Sequence, residues 1–222
     1  MTQEIFKKKN VWLFDLDNTI YSPKTKIFDQ IDKRMKLFIS DKLKISRDEA
    51  FKIQKLYYSK YGTTLFGLMK NYDFEPEEFL EFVHNVDLNN LKKCSKLIKQ
   101  LKLLPGKKII YTNGDFDYAK RVLCKLEIEE LFDEIFDIKK SRYIPKPKIK
   151  PFQDFLEDKK IDTKDCVYFE DLEDNLRPAS KIGMTTIHIC NERKIKIKPF
   201  IDFRFKTIIN ALDMINNSIK SL

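Results

Sequence analysis

The chain has 222 residues, 42% of them hydrophobic and 35% charged, enough for one sizeable core with a smaller accessory unit. The formal net charge of +9 suits phosphate-bearing partners, but the lysines are scattered among acids and no aromatic-plus-basic run of the RGFGFV type appears, which argues against a nucleic-acid-binding protein. No stretch approaches the ~20 apolar residues that span a bilayer, and MTQEIFKKKN lacks an apolar run of signal length, so a cytoplasmic protein without membrane partners is expected.

In chain order, the first element is an apolar run, Trp12-Leu13-Phe14, which reads as a strand covered on both faces of a sheet. After Ser22-Pro23 the pattern becomes helical, with Phe28, Ile31, Met35, Phe38, Ile39 and Leu43 at helical spacing. Ser46 with Glu49 three residues on forms a capping-box signature, Gly62 ends that helix, and Pro76 suits the first turn of the next. A further helix is predicted over 89–103, so that 21–100 is all helical. Beyond it the texture alternates. KKIIYTN, EIFDI, DCVYFED and MTTIHIC read as strands, separated by helices over 115–130, KPFQDFLEDKK and NLRPASKIG. Such alternation predicts right-handed crossovers and a parallel sheet. Ile208, Leu212, Ile215 and Ile219 predict an amphipathic helix near the end. The four cysteines, Cys94, Cys124, Cys166 and Cys190, form no CxxC pair and read as buried thiols rather than zinc ligands.

Ligands of open α/β sheets bind at the carboxyl ends of the strands. The first end carries Asp15 and Asp17, two carboxylates that repel unless something positive joins them, a need that Mg2+ meets. The second carries Thr112, Asn113 and Gly114 just before a helix, either a plain turn or donors for phosphate oxygens. Lys146, held between Pro145 and Pro147, is either one solvent lysine among many or a positioned point charge. The fourth end carries Glu170 and Asp171; the two either cap the next helix, or Asp171 faces Asp15 as a metal ligand.

Asp15-x-Asp17-x-Thr19, Thr112-Asn113, Lys146-Pro147 and Glu170-Asp171 together resemble the four-motif set of the haloacid dehalogenase superfamily of phosphatases. FDLDNTIYS, YYSKYGTTLFGLM, FVHNVD and YTNGDFDYAKRVL are similar to its pyrimidine 5′-nucleotidase branch. The resemblance implies a Rossmann-like three-layer α/β/α core, formed by 1–20 and 100–190. It also implies a helical cap inserted after the first strand at 21–99, and a tail at 191–222 whose helix docks on the core. It implies Asp15 as nucleophile, Asp17 as acid and base, and Mg2+ held by Asp15, Asp17 through its backbone carbonyl, and Asp171. Thr112, Asn113 and Lys146 would hold the phosphate of a small phosphorylated metabolite, a nucleotide or a sugar phosphate. A sugar-phosphate mutase shares these motifs. Asn175 stands where the family often has an acid that orients the lysine, Glu170 where aspartate is common, and Leu172 where serine is common.

Substrate choice falls to the helical region. Tyr58 and Tyr61 either stack on a base or pack the region's own core, to which Tyr57 is assigned. His84 and His188 read as structural.

Overall fold

In the computed structural model, which describes residues 2–191 and 198–220, helix α1 (Thr2–Lys7) leads directly into strand β1 (Val11–Phe14). Four helices then stand between β1 and the next strand's approach: α2 (Ile27–Leu43), α3 (Arg47–Tyr61), α4 (Thr64–Asn71) and α5 (Pro76–His84). The start of α3 is set by the predicted capping box. Ser46 Oγ accepts from the Glu49 N–H at 3.3 Å, and Glu49 accepts from the Ser46 N–H at 3.0 Å. Gly62 closes α3 with φ 91°, in the left-handed region that favours glycine.

The helix expected over 89–103 is shorter: α6 spans Ser95–Leu103. Asp87 accepts from the Asn89 N–H at 2.9 Å, and Asn90 donates to the Thr25 carbonyl at 3.1 Å, so side-chain bonds replace the first helical turn there. Beyond α6 come β2 (Lys107–Tyr111), α7 (Phe116–Leu126), β3 (Glu134–Phe136), α8 (Lys150–Asp158), β4 (Cys166–Glu170), α9 (Glu173–Lys181) and β5 (Thr185–Ile189). Two elements follow: β6 (Phe203–Phe205), a three-residue strand, and α10 (Ile208–Lys220). The stretches 192–197 and 221–222 of the expected tail lie outside the described residues.

Among the described residues the strands form one sheet in the order β3-β2-β1-β4-β5-β6, and every pairing is parallel. The period of two then divides the strand residues between two cores. Trp12, Phe14, Ile110, Val167 and Phe169 join the cluster that includes residues of α1, α6, α7 and α10. Leu13, Ile109, Tyr111, Phe136 and Tyr168 join the one built with Phe152 and Leu156 of α8 and Leu176 and Ala179 of α9. The fold is thus a Rossmann-like three-layer α/β/α arrangement with a helical insertion after its first strand. α10 lies against α1 and α6, tied by Asn216 Nδ2 donating to Gln100 Oε1 at 2.6 Å and by the Lys96–Asp213 ion pair at 2.5 Å.

Among the described residues no disulfide joins the four cysteines; Cys166 is buried as expected, but Cys94 and Cys190 are only partly buried and Cys124 is exposed. No described helix is long and apolar enough to cross a membrane.

Candidate active site

The strand order reverses direction at β1 and β4, the place where such sheets open a crevice at their carboxyl ends. The ladder between these strands ends with the Asp15 N–H donating to the Phe169 carbonyl at 2.9 Å, which brings Asp15 beside Glu170. Residues 15, 111, 168 and 170 continue the face that packs on α8. The loop that precedes α8 delivers Lys146 to that face.

Lys146 is 4% exposed, and its ammonium donates to three acceptors: Asp15 Oδ1 at 2.6 Å, Glu170 Oε2 at 2.8 Å and the Tyr111 carbonyl at 3.0 Å. These use all three of its protons. No donor is left for Asn175, so the lysine is oriented by Glu170 and the end of β2 rather than from position 175. Burial works against its charge, but Asp15 and Glu170 outweigh that and hold the ammonium strongly protonated. Glu170 also resists burial and is lowered by Lys146 and by the Tyr168 hydroxyl that donates to it. Asp15 bears the remaining repulsion: burial and then Glu170 push its carboxyl up to about 7, against the pull of Lys146. Asp171 is pushed up to about 9 by burial and by Asp15.

These charges test the site for a cation. Oxygens of Asp15, Glu170 and Asp171 lie within 4.8 Å of one another. Glu170 is already engaged by Lys146, Tyr168 and the Leu172 N–H at 3.2 Å. Asp15 Oδ2, by contrast, is buried without a partner. An orphaned carboxylate oxygen beside a second strained carboxylate is a donor set that fits a hard divalent cation. The Asp17 side chain is not part of this cluster. Its Oδ1 accepts from the Tyr118 hydroxyl at 2.6 Å and from the Tyr21 hydroxyl.

The second strand end behaves differently from a bare phosphate cradle. Asn113 Oδ1 accepts the Lys146 N–H at 2.8 Å, which makes the amide a clamp on the lysine's backbone. Thr112 Oγ1 accepts from the Gly114 N–H at 2.9 Å and keeps its own proton to donate. The Lys146-Pro147 peptide is cis.

The helical insertion reaches this end of the sheet through α3. A Cβ added at Gly62 would stand 3.3 Å from the Lys146 carbonyl, and Lys148 lies over the Phe66 ring at 4.3 Å. Tyr58 is exposed, and besides partial burial its hydroxyl feels the charges of Asp171 and Glu170, all raising it. Tyr61 is not brought to the site. Its ring packs against Tyr57 and Phe66, and its hydroxyl meets Asn71 at 3.5 Å, because its place on α3 faces α4. Tyr57 is buried, as assigned.

Sequence reasoning missed several partners of these groups. Tyr21 and Tyr118 hold Asp17. His84 stacks on Tyr118 at 4.5 Å and meets Asp115 at 3.1 Å. His188, opposite Glu170 in the β4–β5 register, places Nε2 2.9 Å from the Asp171 carbonyl. Arg204 of β6 donates to its Nδ1 at 3.2 Å, so Nε2 carries the proton and donates to that carbonyl. The register was the signal for His188; for the tyrosines it was their presence inside the quoted motifs.

The model of the haloacid dehalogenase-like hydrolases matches residues 12–189. "Phosphate metabolism protein 8" of Saccharomyces cerevisiae is 29% identical across 83% of this chain, and the chain spans 63% of that relative's length. "Glyceraldehyde 3-phosphate phosphatase" of Methanocaldococcus jannaschii is 26% identical, across 92% of this chain and 96% of the relative. In fold, the chain is similar to a HAD phosphatase from Thermococcus onnurineus, with TM-score 0.63 at 23% identity over 93% of this chain and 97% of that one. It is also similar to the HAD-hydrolase YfnB of Bacillus subtilis, with TM-score 0.61 at 16% identity over 94% and 99%.

Proposed function

The chain belongs to the haloacid dehalogenase-like hydrolase family, and from that premise we propose that it is a Mg2+-dependent phosphomonoesterase acting on small phosphorylated metabolites. The observation that carries the reading is the Lys146 ammonium wedged between Asp15 and Glu170, with Asp15 Oδ2 buried and unpartnered beside Asp171.

In this reading a carboxylate oxygen of Asp15 attacks phosphorus as the bond to the ester oxygen breaks, leaving an aspartyl-phosphate. The electron pair of the broken bond stays on the leaving oxygen, which takes a proton from the Asp17 carboxyl. Water then attacks the phosphoryl group, its proton passes to Asp17, and Asp15 is freed with release of phosphate. Lys146 exchanges its Asp15 contact for a phosphate oxygen as Asp15 becomes esterified, and its ammonium offsets charge as it develops. Thr112 donates to the phosphate oxygens, and Asn113 fixes the lysine's backbone. Asp15, the Asp17 carbonyl and Asp171 would hold Mg2+, which supplies further neutralisation of the phosphate's charge.

Among substrates, pyrimidine nucleoside 5′-monophosphates come first, because Tyr58 presents an exposed ring on which a base can stack, with its hydroxyl within the field of Asp171 and Glu170. A sugar-phosphate phosphatase is the second reading, favoured by the full-length likeness to the archaeal relative. Phosphate release from UMP, CMP, dTMP, AMP, GMP, sugar phosphates and p-nitrophenyl phosphate, with Mg2+ and with EDTA, tests both. Mg2+-dependent release led by pyrimidine nucleotides supports the first, release from sugar phosphates alone supports the second, and no release from any folded sample overturns the phosphomonoesterase reading.

A further inference from the structure

We propose that Tyr21 and Tyr118 are a positioning pair that fixes which oxygen of Asp17 delivers the proton to the leaving group. The proposal rests on Asp17 being the acid and base of the reaction above. Both hydroxyls converge on one oxygen of Asp17: Tyr118 donates to Oδ1 at 2.6 Å, Tyr21 donates to the same atom, and their own oxygens stand 3.1 Å apart. A carboxyl oxygen has two lone pairs, and here both are taken by O–H donors. A proton on Asp17 therefore sits on Oδ2, the oxygen left to face a leaving group.

The surroundings hold this pair in place. Tyr21 and Tyr118 are 6% and 1% exposed. Asn18, at φ 64°, turns the chain so that Tyr21 returns beside Asp17. Tyr118 is set by three separate contacts. Its N–H is capped by Asp115 Oδ1 at 2.7 Å, its ring lies flat on His84 with an interplanar angle of 8°, and the bare face of Gly114 admits its edge. A Cβ at Gly114 would come within 3.2 Å of the Tyr118 ring. Two polar side chains buried this deeply, from elements 97 residues apart, meet at one atom that packing alone does not require.

When the ester bond breaks, its electron pair goes to the leaving oxygen, and the Oδ2–H bond of Asp17 breaks as the proton moves to that oxygen. A good leaving group such as p-nitrophenolate departs without this proton; phenol and benzyl alcohol need it. The test is kcat/KM for p-nitrophenyl, phenyl and benzyl phosphate with wild type, Tyr21→Phe, Tyr118→Phe and the double variant. Phenylalanine keeps the ring packing, and thermal unfolding checks the fold; Tyr21→Phe carries the test alone if Tyr118→Phe does not fold. The expected result is a fall of about 10–100-fold with phenyl and benzyl phosphate and less than about threefold with p-nitrophenyl phosphate. An equal fall on all three, or none, overturns the proposal. Asp17→Asn run in parallel separates it from its premise. A leaving-group-dependent loss in Asp17→Asn without one in the tyrosine variants removes the tyrosine pair alone. A uniform response in Asp17→Asn removes the premise, and the pair with it.

Discussion

Lys146 Nζ and Asp15 Oδ1 lie 2.6 Å apart with both side chains buried, although 131 residues separate them. The contact exists because the sheet order sets β1 between β2 and β4, and the loop before α8 crosses that end. Lys146→Met keeps most of the volume but leaves Asp15 and Glu170 as neighbouring buried carboxylates with no counter-charge. We expect turnover to be lost and stability at neutral pH to fall by about 3–5 kcal/mol in urea unfolding. The deficit should shrink as pH falls, since protonation of the two acids removes their repulsion. A deficit that stays constant with pH would contradict this account.

Asp15, pushed up to about 7, and Asp171, pushed up to about 9, give a second expectation. Free carboxyls titrate near 4, so between about pH 4 and those values the metal-free folded state holds protons that the unfolded chain has released. The two groups therefore cost stability progressively as pH rises through that window. Mg2+ needs the deprotonated forms and relieves their repulsion. The rise in Tm on adding Mg2+ should be larger at pH 8 than at pH 5.5, and binding at pH 7 should release protons into a weak buffer. A Tm gain independent of pH, with no proton release, would be inconsistent with carboxyl ligands of this kind.

His188 ties the last strands to the acid cluster by donating to the Asp171 carbonyl. His188→Phe removes that bond while filling the core position. Mg2+ affinity should weaken by about tenfold, measured by calorimetry. Unchanged affinity would mean that Asp171 is held by its own turn alone.

Tyr58 and Tyr61 should separate cleanly. Tyr58→Ala is expected to raise KM for pyrimidine nucleotides by about 2–10-fold, the worth of one aromatic stacking contact, with little change for small sugar phosphates. Tyr61→Ala should leave both KM values alone and lower Tm, because its ring packs with Tyr57 and Phe66. Steady-state kinetics on the two variants decides it.

Much of the fold was legible in the sequence wherever a local signal was complete. The apolar run at 12–14 and the capping box at Ser46 and Glu49 each state their element without help from distant residues. The misses were short or tertiary. α1 has six residues and β6 three, too few for either period to show. At 89–94 the helical spacing was present, but the Asp87 side chain took the Asn89 N–H and the Asn90 side chain bonded to Thr25. In the site, acids and a lysine at strand ends stand out because charge at the end of a buried strand is costly. Tyr21, Tyr118 and His188 did not stand out. An aromatic or imidazole in an apolar setting is ordinary, and only the assembled chain shows what its polar atom touches. Glu170 was visible as an acid, but its grip on Lys146 depends on the β1–β4 register.

The most direct test of the central claim is phosphate release by Asp15→Asn beside wild type, with Mg2+ present and folding verified by circular dichroism. With Asp15 as the nucleophile, the variant should retain less than about a thousandth of the wild-type rate on any substrate that wild type hydrolyses. Release at the wild-type rate from a folded Asp15→Asn protein would contradict the account at its foundation.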